Sequence, residues 1–219
     1  MEMVGKALEF AQKTMGHKTR KGSGVPYMTH LYSVMGIVAG YGGEEVTRVA
    51  AVLHDCPEDA GISVETIRFL FGEDVAKIVA KLTEDKALSW HDRKRSVIDL
   101  AGKCCQPVGI VLIADKIDNL SATLREMPAA VDKEKFQTYW SRFNAPVGNQ
   151  LRFHQDLVKS LITNERLITR AKYPDLRTNR AVYDLTALVR RFENMTGSDL
   201  WEIDENLVAK LFPQAQEEK

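Results

Sequence analysis

The sequence predicts an all-α fold, and three observations carry that prediction. Apolar residues recur at three- and four-residue spacing along most of the 219 residues. No stretch alternates apolar and polar residues long enough to demand a sheet. The breaks between periodic segments fall on helix punctuation, at Pro26, Gly42-Gly43, Ser63 and Gly72.

The elements follow in order. Val4, Ala7, Leu8, Ala11 and Met15 make one apolar face of a first helix. Pro26, whose missing N–H costs nothing at a helix start, opens a second that runs to about Tyr41. A third covers roughly Glu44 to Cys56. Ser63 reads as the N-cap of a short helix that stops at Gly72. Further helices run from Glu73 to Thr83 and onward from Trp90. The apolar segment Val108–Leu124 is long enough to favour a helix over a strand. A helical stretch from Lys133 to Thr169 is broken near Asn144-Ala145-Pro146, since Pro146 disfavours α conformation at Ala145. The polar segment Lys172–Asn179 is the best boundary, which divides the chain into residues 1–170 and a helical extension, 171–219. In that extension two amphipathic helices are expected, Arg180–Glu193 and Ser198–Phe212. The face formed by Trp201, Leu207, Val208, Leu211 and Phe212 suits docking on the main domain or a homodimer contact.

Composition excludes several classes. Thirty basic and thirty acidic residues cancel, so the chain lacks the basic surplus of a general nucleic-acid binder. The longest apolar run, Val108–Ala114, is far short of a membrane span. The N-terminal residues MEMVGKALEFAQ carry glutamates and a helical pattern and do not read as a signal peptide. Three cysteines without a C-x-x-C argue for reduced thiols rather than a disulfide scaffold or a structural zinc site. The expected location is the cytoplasm.

Chemistry concentrates at His54-Asp55-Cys56-Pro57-Glu58-Asp59, after the apolar VAAVL. A histidine and three acids there must be paired or bound to a cation. Two more positions join them. His30 shares or flanks a face with Tyr27, Leu31, Val34 and Val38, so it points to the core. Asp115 falls on the apolar stripe Val108, Leu112, Asp115, Asn119 of its helix. The plain alternatives are a carbonyl-bonded core histidine at position 30 and an ion pair of Asp115 with Lys116 or an arginine. Together, His30, His54, Asp55 and Asp115 would form a site of two nitrogens and two oxygens. Such a site suits Mn²⁺, Fe²⁺ or Mg²⁺ better than structural zinc. Glu58 lies four residues after His54, about one helical turn on.

The ordered set of Arg20-Lys21, Pro26-Tyr27-x-x-His30, AAVLHDCPED, Phe71-Gly72-x-x-Val75, TEDK at 83–86, RKR at 93–95 and ADKIDNL at 114–120 resembles HD-domain phosphohydrolases. It is most similar to the hydrolase domain of RelA/SpoT proteins and to stand-alone small alarmone hydrolases, over about residues 1–165. The resemblance implies an HD-domain helical bundle with a C-terminal helical extension. It implies Mn²⁺-dependent removal of the 3′-pyrophosphate of (p)ppGpp, with Fe²⁺, Mg²⁺ or Zn²⁺ as alternative metals. It assigns His30, His54, Asp55 and Asp115 as metal ligands and Glu58 and Asp59 as the catalytic acid pair. Asn119 would contact the sugar, and Arg20 and Lys21 would flank the guanine. Lys86, with Arg93, Lys94 and Arg95, would reach the 5′ phosphates or form a solvated face. Tyr139, Trp140, Phe143 and Phe153 read as core. Pro57, the longer RKGSGVPY loop and Ala122 depart from the family pattern. They keep open another small nucleotide substrate such as NADPH, or a non-catalytic nucleotide sensor.

Overall fold

A computed structural model describes residues 2–21, 23–129, 131–168 and 176–196. Among them the only β feature is an isolated bridge between Thr19 and Pro26, so the all-α expectation holds. The helices are α1 (Glu2–Met15), α2 (Met28–Gly40), α3 (Glu45–Leu53), α4 (Cys56–Ala60), α5 (Val64–Phe71), α6 (Glu73–Leu82), α7 (Trp90–Ala101), α8 (Gln106–Glu126), α9 (Lys133–Trp140), α10 (Val147–Thr163) and α11 (Leu176–Thr196).

Helix α8 is the axis of the bundle. Val108 through Ala114 are buried without interruption, because α2, α3, α6 and α11 pack around this segment. A helix apolar on all sides is stable only when surrounded in this way. Gly109 allows Leu167 to close on it, since a Cβ there would meet Leu167 Cδ2 at 2.5 Å. Helix α1 lays Ala7, Ala11 and Met15 against α3 and α4.

Several helix boundaries differ from expectation, among them the end of α10 at Thr163 rather than Thr169. Helix α2 starts at Met28, not Pro26, because Pro26 is held in the bridge to Thr19 while the Tyr27 N–H donates to the Lys18 carbonyl. Helix α3 stops at Leu53, and His54-Asp55 form a turn before α4. Pro57 lies in the first turn of α4, where its missing N–H costs nothing. The break expected at Pro146 begins already at Ser141, and Pro146 becomes the residue before α10. Ser63 caps α5 as expected, its Oγ accepting the Thr66 N–H at 3.0 Å. Helix α11 starts at Leu176, four residues ahead of the expected Arg180, runs past Glu193 to Thr196 and packs on α8 and α10. The expected helix Ser198–Phe212 and its apolar face lie outside the described residues.

Candidate metal centre and nucleotide cleft

Three elements bring four side chains to one point: α2 supplies His30, the α3–α4 turn supplies His54 and Asp55, and α8 supplies Asp115. Both histidines are buried. The His54 Nδ1–H donates to the Ala51 carbonyl at 2.8 Å, because a carbonyl can only accept. His30 Nδ1 makes a 2.7 Å bond to Asp118 Oδ2. Each ring is thus anchored through Nδ1 and turns Nε2 inward. His54 Nε2 lies 3.1 Å from Asp55 Oδ2 and 3.7 Å from Asp115 Oδ1. His30 Nε2 lies 3.4 Å from both of these oxygens.

This donor set fits a divalent cation. His54 Nε2 is buried and has no hydrogen-bond partner in good geometry, which is costly unless something else satisfies it. Ligand atoms of His30, His54 and Asp115 lie within 4.8 Å of one another. The Asp55 carboxylate completes the mixed nitrogen–oxygen set. The electrostatics agree. Burial alone would lower the His30 pKa, but hydrogen bonds to Asp115, Asp118 and Asp55 overcome it and raise it to about 11. Burial is likewise overcome at His54, where Asp55 and Asp115 raise the pKa to about 10. A field that favours positive charge this strongly on two imidazoles favours a cation between them.

The carboxylates are themselves braced. Asp115 Oδ2 accepts from Lys116 Nζ at 2.6 Å and its Oδ1 from Asn119 Nδ2 at 2.5 Å. Asp115 therefore makes the Lys116 ion pair that was the plain alternative and also faces both histidines. Tyr27 donates its hydroxyl to Asp55 Oδ2 at 2.5 Å.

Glu58 sits in α4 on the wall shared by two cavities. The smaller, about 150 Å³, is lined by His54, Asp55 and Asp115; the larger cleft is about 870 Å³. Glu58 Oε1 accepts the Glu84 N–H at 2.8 Å. Burial pushes the Glu58 pKa up and the negative charges of Asp55 and Glu84 add to that, against the Glu84 N–H. A carboxyl raised in this way is a better proton acceptor than an ordinary carboxylate. Asp59 forms a 3.3 Å ion pair with Lys86, whose ammonium also donates to the Glu58 carbonyl.

The remaining expected substrate residues divide. Arg20, Lys21, Asn119 and Lys86 all line the large cleft. Arg20 is engaged, through Nη1 with Asp118 and through Nη2 with Asn119 Oδ1 at 2.9 Å. Lys21 is exposed at the rim. Arg93 and Lys94 also face the cleft and are held by Glu84 at 3.0 and 2.7 Å. Tyr139, Trp140 and Phe153 are buried as core expects, yet they also form one wall of the cleft, joined by Phe192 of α11. Trp140 stacks on Phe192 with centroids 5.7 Å apart.

Sequence reasoning missed Asp118, Glu84 and His154. Asp118 carried a signal, since it follows Asp115 by three residues and so shares its side of α8. Glu84 lies in the loop after α6, where no period exists to place it. His154 lines the cleft from α10 with Nδ1 donating to the Gln150 carbonyl at 2.7 Å.

Comparison with known proteins agrees with this geometry. A family model described as HD domain matches residues 7–148. The guanosine-3′,5′-bis(diphosphate) 3′-pyrophosphohydrolase MESH1 of Xenopus tropicalis is 35% identical over 141 residues, 63% of this chain and 79% of the relative. The Homo sapiens protein of the same name is 31% identical over 137 residues, 61% of this chain and 76% of the relative. Among solved structures, a Listeria monocytogenes protein superposes with a TM-score of 0.64 at 26% identity, covering 83% of this chain and 100% of the other. A metazoan orthologue of SpoT that hydrolyses ppGpp superposes with a TM-score of 0.65 at 26% identity, covering 87% of this chain and 96% of the other.

Proposed function

The chain belongs to the HD-domain family, and we propose that it hydrolyses the 3′-pyrophosphate of (p)ppGpp, releasing pyrophosphate and GDP or GTP. The observation that carries this reading is the pair of Nδ1-anchored imidazoles facing Asp55 and Asp115, with Glu58 on the wall between them and the cleft. The relatives named for this reaction support the choice of substrate.

In this reading His30, His54, Asp55 and Asp115 hold a divalent metal, Mn²⁺ by preference. When bound, such an ion neutralises phosphate charge and lowers the pKa of a water. Glu58, kept basic enough by burial, takes a proton from the attacking water and returns one to the leaving sugar oxygen. Asp59 holds Lys86 at the mouth of the site, where the ammonium meets an entering phosphate. Lysines and arginines outnumber acids on the cleft wall, so a polyphosphate is held locally by a chain of zero net charge. Asn119 braces Asp115 and lines the cleft, and in this reading it contacts the ribose. Arg20 and Lys21 border the guanine.

Helix α11 serves the same cleft in this reading, because its Phe192 closes the aromatic wall. That wall favours a second substrate class, since a nucleotide with an additional planar group, such as NADPH, would lie against Trp140 and Phe153. We place the protein in the cytoplasm, where such nucleotides are made, and propose a homodimer, which its mass in solution checks directly. No described helix is long and apolar enough to cross a membrane.

The test is a product-resolved panel of ppGpp, pppGpp and NADPH with Mn²⁺, Mg²⁺, Fe²⁺ and Zn²⁺. Pyrophosphate release from ppGpp that requires Mn²⁺ and is lost in Asp55→Ala and Glu58→Ala is the expected result. Turnover that survives chelation, or that is unchanged in those variants, removes the reading. Strong preference for NADPH replaces the substrate but keeps the site.

A further inference from the structure

Asp118 is buried, 6% exposed, and does not belong to the set of four candidate ligands. A single oxygen of its carboxylate, Oδ2, serves two partners: His30 Nδ1 at 2.7 Å and Arg20 Nη1. The neighbouring Asn119 repeats the pattern. Its Oδ1 accepts from Arg20 Nη2 at 2.9 Å, and its Nδ2 donates to Asp115 Oδ1 at 2.5 Å. One guanidinium on the 19–26 loop therefore reaches two candidate ligands, His30 and Asp115, each through one intermediate side chain. Arg20 is held in place by the adjoining Thr19–Pro26 bridge and by its own N–H, which donates to the Val25 carbonyl at 2.8 Å.

We propose that Asp118 is a positioning residue that sets the metal affinity of His30 and links it to the substrate loop through Arg20. It rests on the reading of His30 as a metal ligand. The carboxylate fixes the imidazole as the Nδ1–H tautomer, aims Nε2 inward and makes that nitrogen a better donor. Arg20 draws on the same oxygen, so the two interactions oppose one another. A phosphate or base that takes Arg20 frees Asp118 Oδ2 for His30 and tightens the metal.

The experiment measures Mn²⁺ dissociation constants by titration of the intact protein, wild type against Asp118→Asn and Arg20→Met, alongside kcat and KM for ppGpp. Asp118→Asn keeps the shape and an acceptor but removes the charge, and it should weaken Mn²⁺ binding about 10- to 100-fold. Arg20→Met should tighten Mn²⁺ binding while raising KM, and unchanged Mn²⁺ binding in that variant would overturn the link through Arg20. That opposite pair of effects is not produced by a merely structural role. Mn²⁺ affinity of Asp118→Asn within twofold of wild type overturns the inference. If Asp118→Asn does not fold, the wild-type protein loaded with Zn²⁺ decides. A slowly exchanging, downfield Nδ1–H resonance of His30 supports the proposal, and its absence overturns it. Wild-type protein that binds no divalent metal would remove the metal-site reading along with this one. Normal wild-type binding with an indifferent Asp118→Asn removes this inference alone.

Discussion

Replacing His154 by Asn should abolish part of the acid sensitivity of the fold. His154 lies in α10 at the cleft wall, and its pKa falls from 6.5 to about 4. Burial is the largest cause, and the charges of Lys116 and Lys94 add to it, against the hydrogen bond to the Gln150 carbonyl. The folded protein thus holds a neutral imidazole where the unfolded chain takes up a proton below about pH 6.5. Because the pKa is depressed, the stabilisation is complete above the unfolded pKa and is lost as pH falls toward the folded value. At pH 5 the unfolded chain is almost fully protonated at this site while the folded protein is mostly neutral. The difference amounts to roughly 2 kcal/mol, trimmed where water in the cleft reaches the ring. Asn keeps a donor for the Gln150 carbonyl but does not titrate. Urea unfolding of both proteins at pH 8 and pH 5 gives the comparison. Wild type should lose roughly 2 kcal/mol more than His154→Asn between these conditions, whatever the constant offset between them. Equal losses would show that His154 is charged in the fold, and the account of its environment would fail.

Two further outcomes test the rest of the framework. Glu84→Ala should cost about 3 kcal/mol in chemical denaturation, because it strips Arg93 and Lys94 of a shared, largely buried carboxylate and leaves them facing Lys116; a loss under about 1 kcal/mol would mean that water already solvates these cations. Trp140→Ala should cost about 3–5 kcal/mol, since it empties a buried site stacked on Phe192, and calorimetry together with the KM for ppGpp would show whether the aromatic wall also supports the substrate.

Much of this protein is local, and that part was legible in the chain. The apolar period located most helices, and the Ser63 cap and Gly72 marked ends that recur in the structure. His30 and Asp115 stood out because each is polar on an apolar stripe, an arrangement that costs free energy unless a partner exists. The boundary errors have local causes of another kind. Pro26 was read as a helix start, but the Thr19–Pro26 bridge is a pairing across a loop that no helical period encodes. The helix thought to run to Cys56 ends at Leu53, so that the His54-Asp55 turn can direct both side chains to one point.

By itself, the sequence determined the fold class, the ordered motifs and which residues carry unpaired chemistry. Only the tertiary structure decided what those residues touch. Asp118, 98 residues from Arg20 and 88 from His30, meets both because α2, α8 and the 19–26 loop converge. Glu84 gathers Arg93 and Lys94 beside Glu58 from a loop without periodicity. Trp140 and Phe192 are core by composition and become a cleft wall only when α9 and α11 are brought together. The physical reason is the same in each case. Helical period reports the direction in which a side chain leaves its own axis, whereas hydrogen bonds, ion pairs and stacking depend on which axes packing brings within a few ångströms.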